Sequence, residues 1–318
     1  MKPDELFSKR LLFFTGKGGV GKSTVVASLA VLAARRGKKA LIVEIETASA
    51  MRRLFSAPFV GFMPLEVANN IWTININSEE ALQEYVEEHV KIHRLAKIIV
   101  NNSILRYFFH TAPAVAELVT INKLYSLVHE KHPHLNGPAY DLILVDLPAT
   151  GHALGFLDVP RVLKQLVISG PLRKIIDRYE RLFTDPELTA LNLVTLPADM
   201  PVTETIEMFN RLKSAIDIPK GLLIVNAMPD RVFDEEEAAL LARLGGTLAS
   251  ETGTANAVLT GQTLLSRQQR SEDHIRRLVE QVKMTVVTAP RILSGRLDRD
   301  ALGRLATAFS GALNMEQA

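Results

Sequence analysis

The chain has 318 residues, 47% of them apolar, with 37 Lys and Arg against 35 Asp and Glu. That length and apolar content suit one large α/β domain or two small ones, and a formal charge of only +2 implies no broad electrostatic footprint for nucleic acid. The absence of cysteine excludes disulfides, thiolate zinc or metalloid sites and iron–sulfur clusters.

Near the N-terminus, Lys9 and Arg10 precede only four apolar residues, Leu11 to Phe14, too few for a secretory h-region. The longest apolar run, 25–34, includes Ser28, stops at Arg35 and is far short of a membrane span, so a cytoplasmic protein is expected. Residues 10–15 read as a strand and 23–36 as a helix closed by Gly37, and between them the chain reads Gly16-Lys17-Gly18-Gly19-Val20-Gly21-Lys22-Ser23-Thr24. Gly16, Gly21, Lys22 and Ser23 match G-x-x-x-x-G-K-[ST] in the strand–helix context that this motif requires. Glycines let backbone N–H groups close around phosphates, the helix N-terminus favours their charge, Lys22 reaches the β- and γ-phosphates, and the Ser23 hydroxyl ligates magnesium. A glycine-rich turn that merely caps a helix would not demand this lysine and this hydroxyl together.

Further strands are predicted at 39–45, 141–145, 191–196, 221–225 and 284–287. Most are continuous apolar runs, as strands covered on both faces must be, so the fold class expected is α/β, a doubly wound, mainly parallel sheet. The first of these runs into Glu44 and Glu46, which share a strand face. The strand at 141–145 leads into Asp146, at the edge where an open sheet binds ligands and where a carboxylate can hold a magnesium-bound water. Two long stretches, about 79–132 and 155–185, are helical and read as insertions above the sheet, the second interrupted by Pro160 and by Gly170-Pro171. Their apolar residues, Ile98, Ile99, Leu105, Phe108 and Phe109 in the first and Leu163, Leu166, Val167, Ile175 and Ile176 in the second, suit either burial against the sheet or a partner groove. The acidic run 234–237 reads as the first turn of a helix, and the final helix, 298–313, as docked on the core through Leu302, Leu305, Phe309 and Leu313. His129, His132 and His134 read as a surface loop rather than a metal site, since no carboxylate or thiol completes the set.

The whole string from Gly16 to Thr24, with Lys17, resembles the deviant P-loop of a class of dimeric ATPases. The segment Asp146-Leu147-Pro148-Ala149-Thr150-Gly151-His152 narrows this: it is similar to the switch II segment of the family containing the arsenite-pump ATPase and the ATPase that delivers tail-anchored membrane proteins. The resemblance covers nearly the entire chain and implies one P-loop domain, 1–318, that binds ATP and Mg2+ and acts as a homodimer. It implies that Lys17 reaches the partner's nucleotide, that Asn226 reads adenine and that Pro290 belongs to the adenine loop. Where the family has an aspartate to orient the attacking water, this chain has Glu46, with Glu44 as a backup; both could instead be structural acids paired with lysines.

The leading expectation is a dimeric molecular switch in which ATP hydrolysis, through Lys17, Lys22, Glu46 and Asp146, opens and closes a helical surface for a protein client or membrane partner. One alternative is the cytoplasmic motor of an exporter for an anion that is not thiol-ligated. Another is a regulatory ATP-binding partner with little turnover.

Overall fold

A computed structural model of the protein describes residues 1–45, 48–89, 114–132, 137–215, 217–244, 253–293 and 297–315. Eight strands, β1 (Leu11–Thr15), β2 (Ala40–Ile45), β3 (Leu65–Ala68), β4 (Ile71–Ile76), β5 (Leu142–Asp146), β6 (Thr189–Thr195), β7 (Lys220–Met228) and β8 (Thr285–Pro290), form one sheet in the order β3-β4-β2-β5-β1-β6-β7-β8. Every neighbouring pair is parallel except β3 with β4. All six predicted strands are present, and the sheet is of the doubly wound, mainly parallel kind expected. The edge hairpin β3–β4 was not foreseen; its turn passes through Asn69 and Asn70, with Asn70 at φ 60°, a conformation that asparagine tolerates better than most residues.

The helices are α1 (Lys22–Arg35), α2 (Ala50–Leu54), α3 (Ser78–His89), α4 (Val115–His129), α5 (Thr150–Leu166), α6 (Pro171–Thr184), α7 (Asp199–Ala215), α8 (Glu235–Leu244), α9 (Gly253–Gln281) and α10 (Arg299–Ala312). Alternate residues of a strand face opposite sides. Accordingly Leu11 and Phe13 enter a core shared with α4, α5, α6 and α7, while Leu12 and Phe14 enter a second core shared with α1, α2 and α10. The continuous apolar runs in β1 and β5 are thus explained by burial on both faces.

The first helical stretch contains α3 and α4; Ile98, Ile99, Leu105, Phe108 and Phe109 lie outside the described residues. In the second, Pro160 sits inside α5 instead of interrupting it. A proline there removes one backbone donor, but its neighbours Phe156, Leu157 and Val159 are buried in the core and hold the helix through it. Gly170 does break the chain, at φ 98°, and Pro171 opens α6, where its missing N–H costs no helical bond. Ile176, Tyr179, Leu182 and Phe183 are buried. Phe183 meets Phe13 of the sheet edge-on, with ring centroids 5.2 Å apart, so α6 lies directly on the sheet face. Leu166, by contrast, is exposed.

Helix α8 has its acidic first turn and a reciprocal cap in which Glu237 N–H donates to Asp234 and Asp234 N–H donates to Glu237. The Asp298 side chain caps α10, which buries Leu302, Leu305 and Phe309, as the sequence led us to expect. Among the described residues, no helix is long and apolar enough to cross a membrane.

Candidate nucleotide site

A parallel sheet brings the C-terminal ends of its strands to one edge, and the residues singled out in the sequence gather there. The loop after β1 passes so close to β6 that a Cβ on Gly16 would stand 2.1 Å from the Val194 carbonyl oxygen. At Gly21 the backbone is left-handed, φ 87°, and a Cβ would stand 2.3 Å from Asn226 Nδ2. Both positions therefore require glycine. Helix α1 starts immediately afterwards, placing Lys22 and Ser23 in its first turn.

Ser23 Oγ donates to Asp146 Oδ2 at the end of β5. Lys22 Nζ donates to the carbonyls of Gly16 and Lys17, at 3.2 and 3.3 Å, so the ammonium is folded under the loop. Asp146 is 8% exposed and its Oδ1 has no hydrogen-bond partner. Burial raises the Asp146 pKa, opposed by the Ser23 hydrogen bond and the charge of Lys22; burial lowers that of Lys22, opposed by Asp146. A buried carboxylate with an unsatisfied oxygen beside a hydroxyl is a donor set suited to a hard cation, so the residues fit Mg2+.

On the other side of the loop, Gly19, Val20, Gly21 and Thr24 join Asn226, Pro290 and Arg291 in lining a cleft of about 480 Å³. Asn226 Nδ2 donates to the Val20 carbonyl at 2.9 Å, which fastens the end of β7 to the P-loop. The next residue, Ala227, has φ 53°, where the β7–β8 register shifts between Val225 and Met228. A non-glycine residue in that region is strained, and this bend keeps Asn226 facing the cleft wall.

Glu46 lies outside the described residues. Glu44 is 1% exposed and accepts from Ser49 Oγ and from the backbone N–H groups of Ala50, at 2.7 Å, and Met51, at 3.2 Å. Its partners are therefore the first turn of α2 and not lysines. Burial raises its pKa against the pull of these three bonds. Lys17 pairs within its own chain, with Glu204 of α7. The sequence offered no sign of Glu204, because 187 residues separate the pair and only the sheet order brings them together. His129 is engaged locally, with Nδ1 2.8 Å from the Tyr125 carbonyl and the two rings stacked; His134 lies outside the described residues.

Fold and loop together define a P-loop nucleotide-binding protein of the α/β class. A family model described as anion-transporting ATPase matches residues 9–175, more than half of the chain, and the chain belongs to that ATPase family. ATPase BagA of Mycobacterium tuberculosis is 31% identical over 229 residues, 70% of this chain and 66% of that protein. The ATPase ASNA1 homolog of Entamoeba dispar is 25% identical over 254 residues, covering 68% of this chain and 75% of its own length. The arsenical pump-driving ATPase of Escherichia coli is 26% identical over 247 residues, 73% of this chain and 41% of the relative. The chain thus spans just under two thirds of the length of its mycobacterial relative.

Proposed function

We propose that this protein is an ATP-hydrolysing molecular switch of the cytoplasm, one P-loop domain over 1–318, that closes as a homodimer around MgATP. The observation that carries the reading is the meeting of Ser23 with a buried, half-satisfied Asp146 beneath a loop that also holds Lys22. Gly16, Lys17, Gly18, Gly19, Val20, Gly21, Lys22, Ser23 and Thr24 cradle the phosphates, and the adenine enters the cleft beside Asn226 and Pro290. Ser23 and Asp146 are the residues that would hold Mg2+, which when bound would neutralise phosphate charge. Lys22 exchanges its two loop carbonyls for phosphate oxygens. Glu46 orients the attacking water. Lys17 exchanges Glu204 for the partner's nucleotide, so the second lysine counts only in the closed dimer.

Asp146 is separated from the start of α5 by only Leu147, Pro148 and Ala149, so α5 is the element best placed to convey the site's state to the helices around it. Such a switch does work only if its client binds the two dimer states with different affinity. The name of the Escherichia coli relative supports a pump-driving reading; the lack of cysteine favours a protein client over a thiol-bound metalloid. A second reading, a regulatory partner with little turnover, is favoured by Glu44, whose oxygens are committed to α2 and which cannot stand in for Glu46.

The test is MgATP turnover by the purified protein. Lys22→Ala should abolish it, and Glu46→Gln should lower it about a hundredfold while MgATP binding persists, as expected for a residue that positions the attacking water. No turnover at dimer-forming concentrations would favour the regulatory reading, and an unchanged rate in Glu46→Gln would remove that residue from the mechanism.

A further inference from the structure

The hairpin of α5 and α6 ends in a tip whose apolar side chains point outward. Leu166 is 73% exposed, Ile168 87% and Leu172 45%, with Val162 at 41% one turn behind. Exposures of this size leave these side chains in open solvent on the single chain. The tip is also well held. Arg173 Nη1 donates to the carbonyls of Lys164, at 3.0 Å, and Val167, at 2.9 Å, closing the end of α5, while its Nε pairs with Asp177 at 3.0 Å. Lys164 pairs with Glu180 across the hairpin. Behind the tip, Ile176, Tyr179, Leu182 and Phe183 anchor α6 in the core.

Charge is distributed unevenly on this element. Residues 159–176 contain Arg161, Lys164, Arg173 and Lys174 and no carboxylate; Asp158, Asp177 and Glu180 reach three of these cations, pairing with Arg161, Arg173 and Lys164, and Lys174 adds a further charge at the tip. Over 150–184 there are six cations against three carboxylates, a larger surplus than the +2 of the whole chain. Exposed apolar side chains at a well-held tip, on an element with a net surplus of positive charge, have the composition of an interfacial membrane anchor.

We propose that this tip docks on an anionic lipid surface, with Leu166, Ile168 and Leu172 entering the boundary between headgroups and acyl chains. Lys174 meets lipid phosphates, its long stem lying along the apolar layer while its charge stays at the surface. The net positive charge of the hairpin selects this occupant over an apolar peptide helix, which has no charge to complement it. The surface belongs to this chain whether or not ATP is hydrolysed.

Sedimentation of the full chain with phospholipid vesicles tests the proposal. Recovery should be high on vesicles containing phosphatidylglycerol, low on pure phosphatidylcholine, and reduced by salt. Leu166→Ser with Ile168→Ser should weaken recovery about tenfold or more, since the apolar area that drives insertion is removed. Lys174→Glu should weaken it on anionic vesicles, and Leu240→Ser, at an exposed leucine on α8 (53%), should leave it unchanged. Equal recovery on the two vesicle types, or undiminished recovery of the double variant, overturns the proposal. Retention of an apolar helical peptide in place of vesicles assigns the tip to a protein client and overturns it too. The readout needs no nucleotide, so loss of ATP turnover and loss of lipid binding are separate results.

Discussion

At the scale of single residues, the site is built from groups whose positions tolerate little change. Gly21 combines a left-handed backbone with an approach to Asn226 that leaves no room for a methyl group. Gly21→Ala should therefore strain the loop and push away the amide that ties β7 to Val20, at a cost of about 1–3 kcal/mol. Isothermal titration should register this as weakened or lost nucleotide binding, and tight binding by the variant would show that the loop relaxes freely. Glu44 illustrates the opposite case, a residue suspected of chemistry that is occupied by structure. Its carboxylate faces three donors, from Ser49, Ala50 and Met51. Glu44→Gln can keep both backbone N–H bonds on its carbonyl and turn its NH2 to the Ser49 hydroxyl, which then accepts, so only the charge that strengthens the three bonds is lost, and we expect a loss of about 1 kcal/mol in unfolding free energy. An unchanged denaturant midpoint would mean that the relief of a buried charge offsets the weakened bonds.

Among the elements, legibility followed how local the chemistry is. The P-loop was readable because phosphate binding requires contiguous residues between one strand and one helix, and Asp146 because a strand end fixes its edge of the sheet. The strands β1, β2 and β5 to β8 were readable because burial on one or both faces writes apolar residues into them. β3 and β4 escaped because they lie at the sheet edge, where β3 is half exposed and β4 mixes Trp72, Thr73 and Asn75 with isoleucines. Their turn at Asn69-Asn70 was the signal that could have revealed them. The Lys17–Glu204 pair was beyond sequence reading, since it depends on β6 lying beside β1. It also has a consequence for α7. If Lys17 must leave Glu204 to act in a closed dimer, Glu204→Gln should release it and raise the dimer fraction at a given MgATP concentration. The pair is about a third exposed, so the shift should be modest, about two- to fivefold, in keeping with the small energies of such ion pairs. Analytical ultracentrifugation would measure it, and a lower dimer fraction would mean that Glu204 serves the closed state instead.

Across the whole molecule, the two faces of the sheet have different tasks. One carries α4 to α7 and the hairpin tip, where side chains are left exposed; the other is closed by α1, α2 and α10, with few concessions to anything but packing. Helix α10 bears on the nucleotide site from a distance, because it packs on α1, whose first turn supplies Lys22 and Ser23, and on β8, which ends at Pro290. It also reaches toward the opposite edge of the sheet, where Arg299 donates to the carbonyls of Phe55 and Val67. The helix therefore touches the sheet from β8 to the β3 hairpin as well as the helix that follows the P-loop. Phe309, fully buried on it, should cost about 3–5 kcal/mol when replaced by alanine. We expect that loss to be shared by the entire fold. Fluorescence of Trp72, the one tryptophan of the chain, stands on the distant β4 against Tyr140, with ring centroids 5.8 Å apart. In Phe309→Ala its denaturant midpoint should fall together with that of far-UV circular dichroism and with the loss of nucleotide binding. A Trp72 transition that stays at the wild-type midpoint while nucleotide binding is lost would instead divide the sheet into separately melting halves, with α10 serving only one of them.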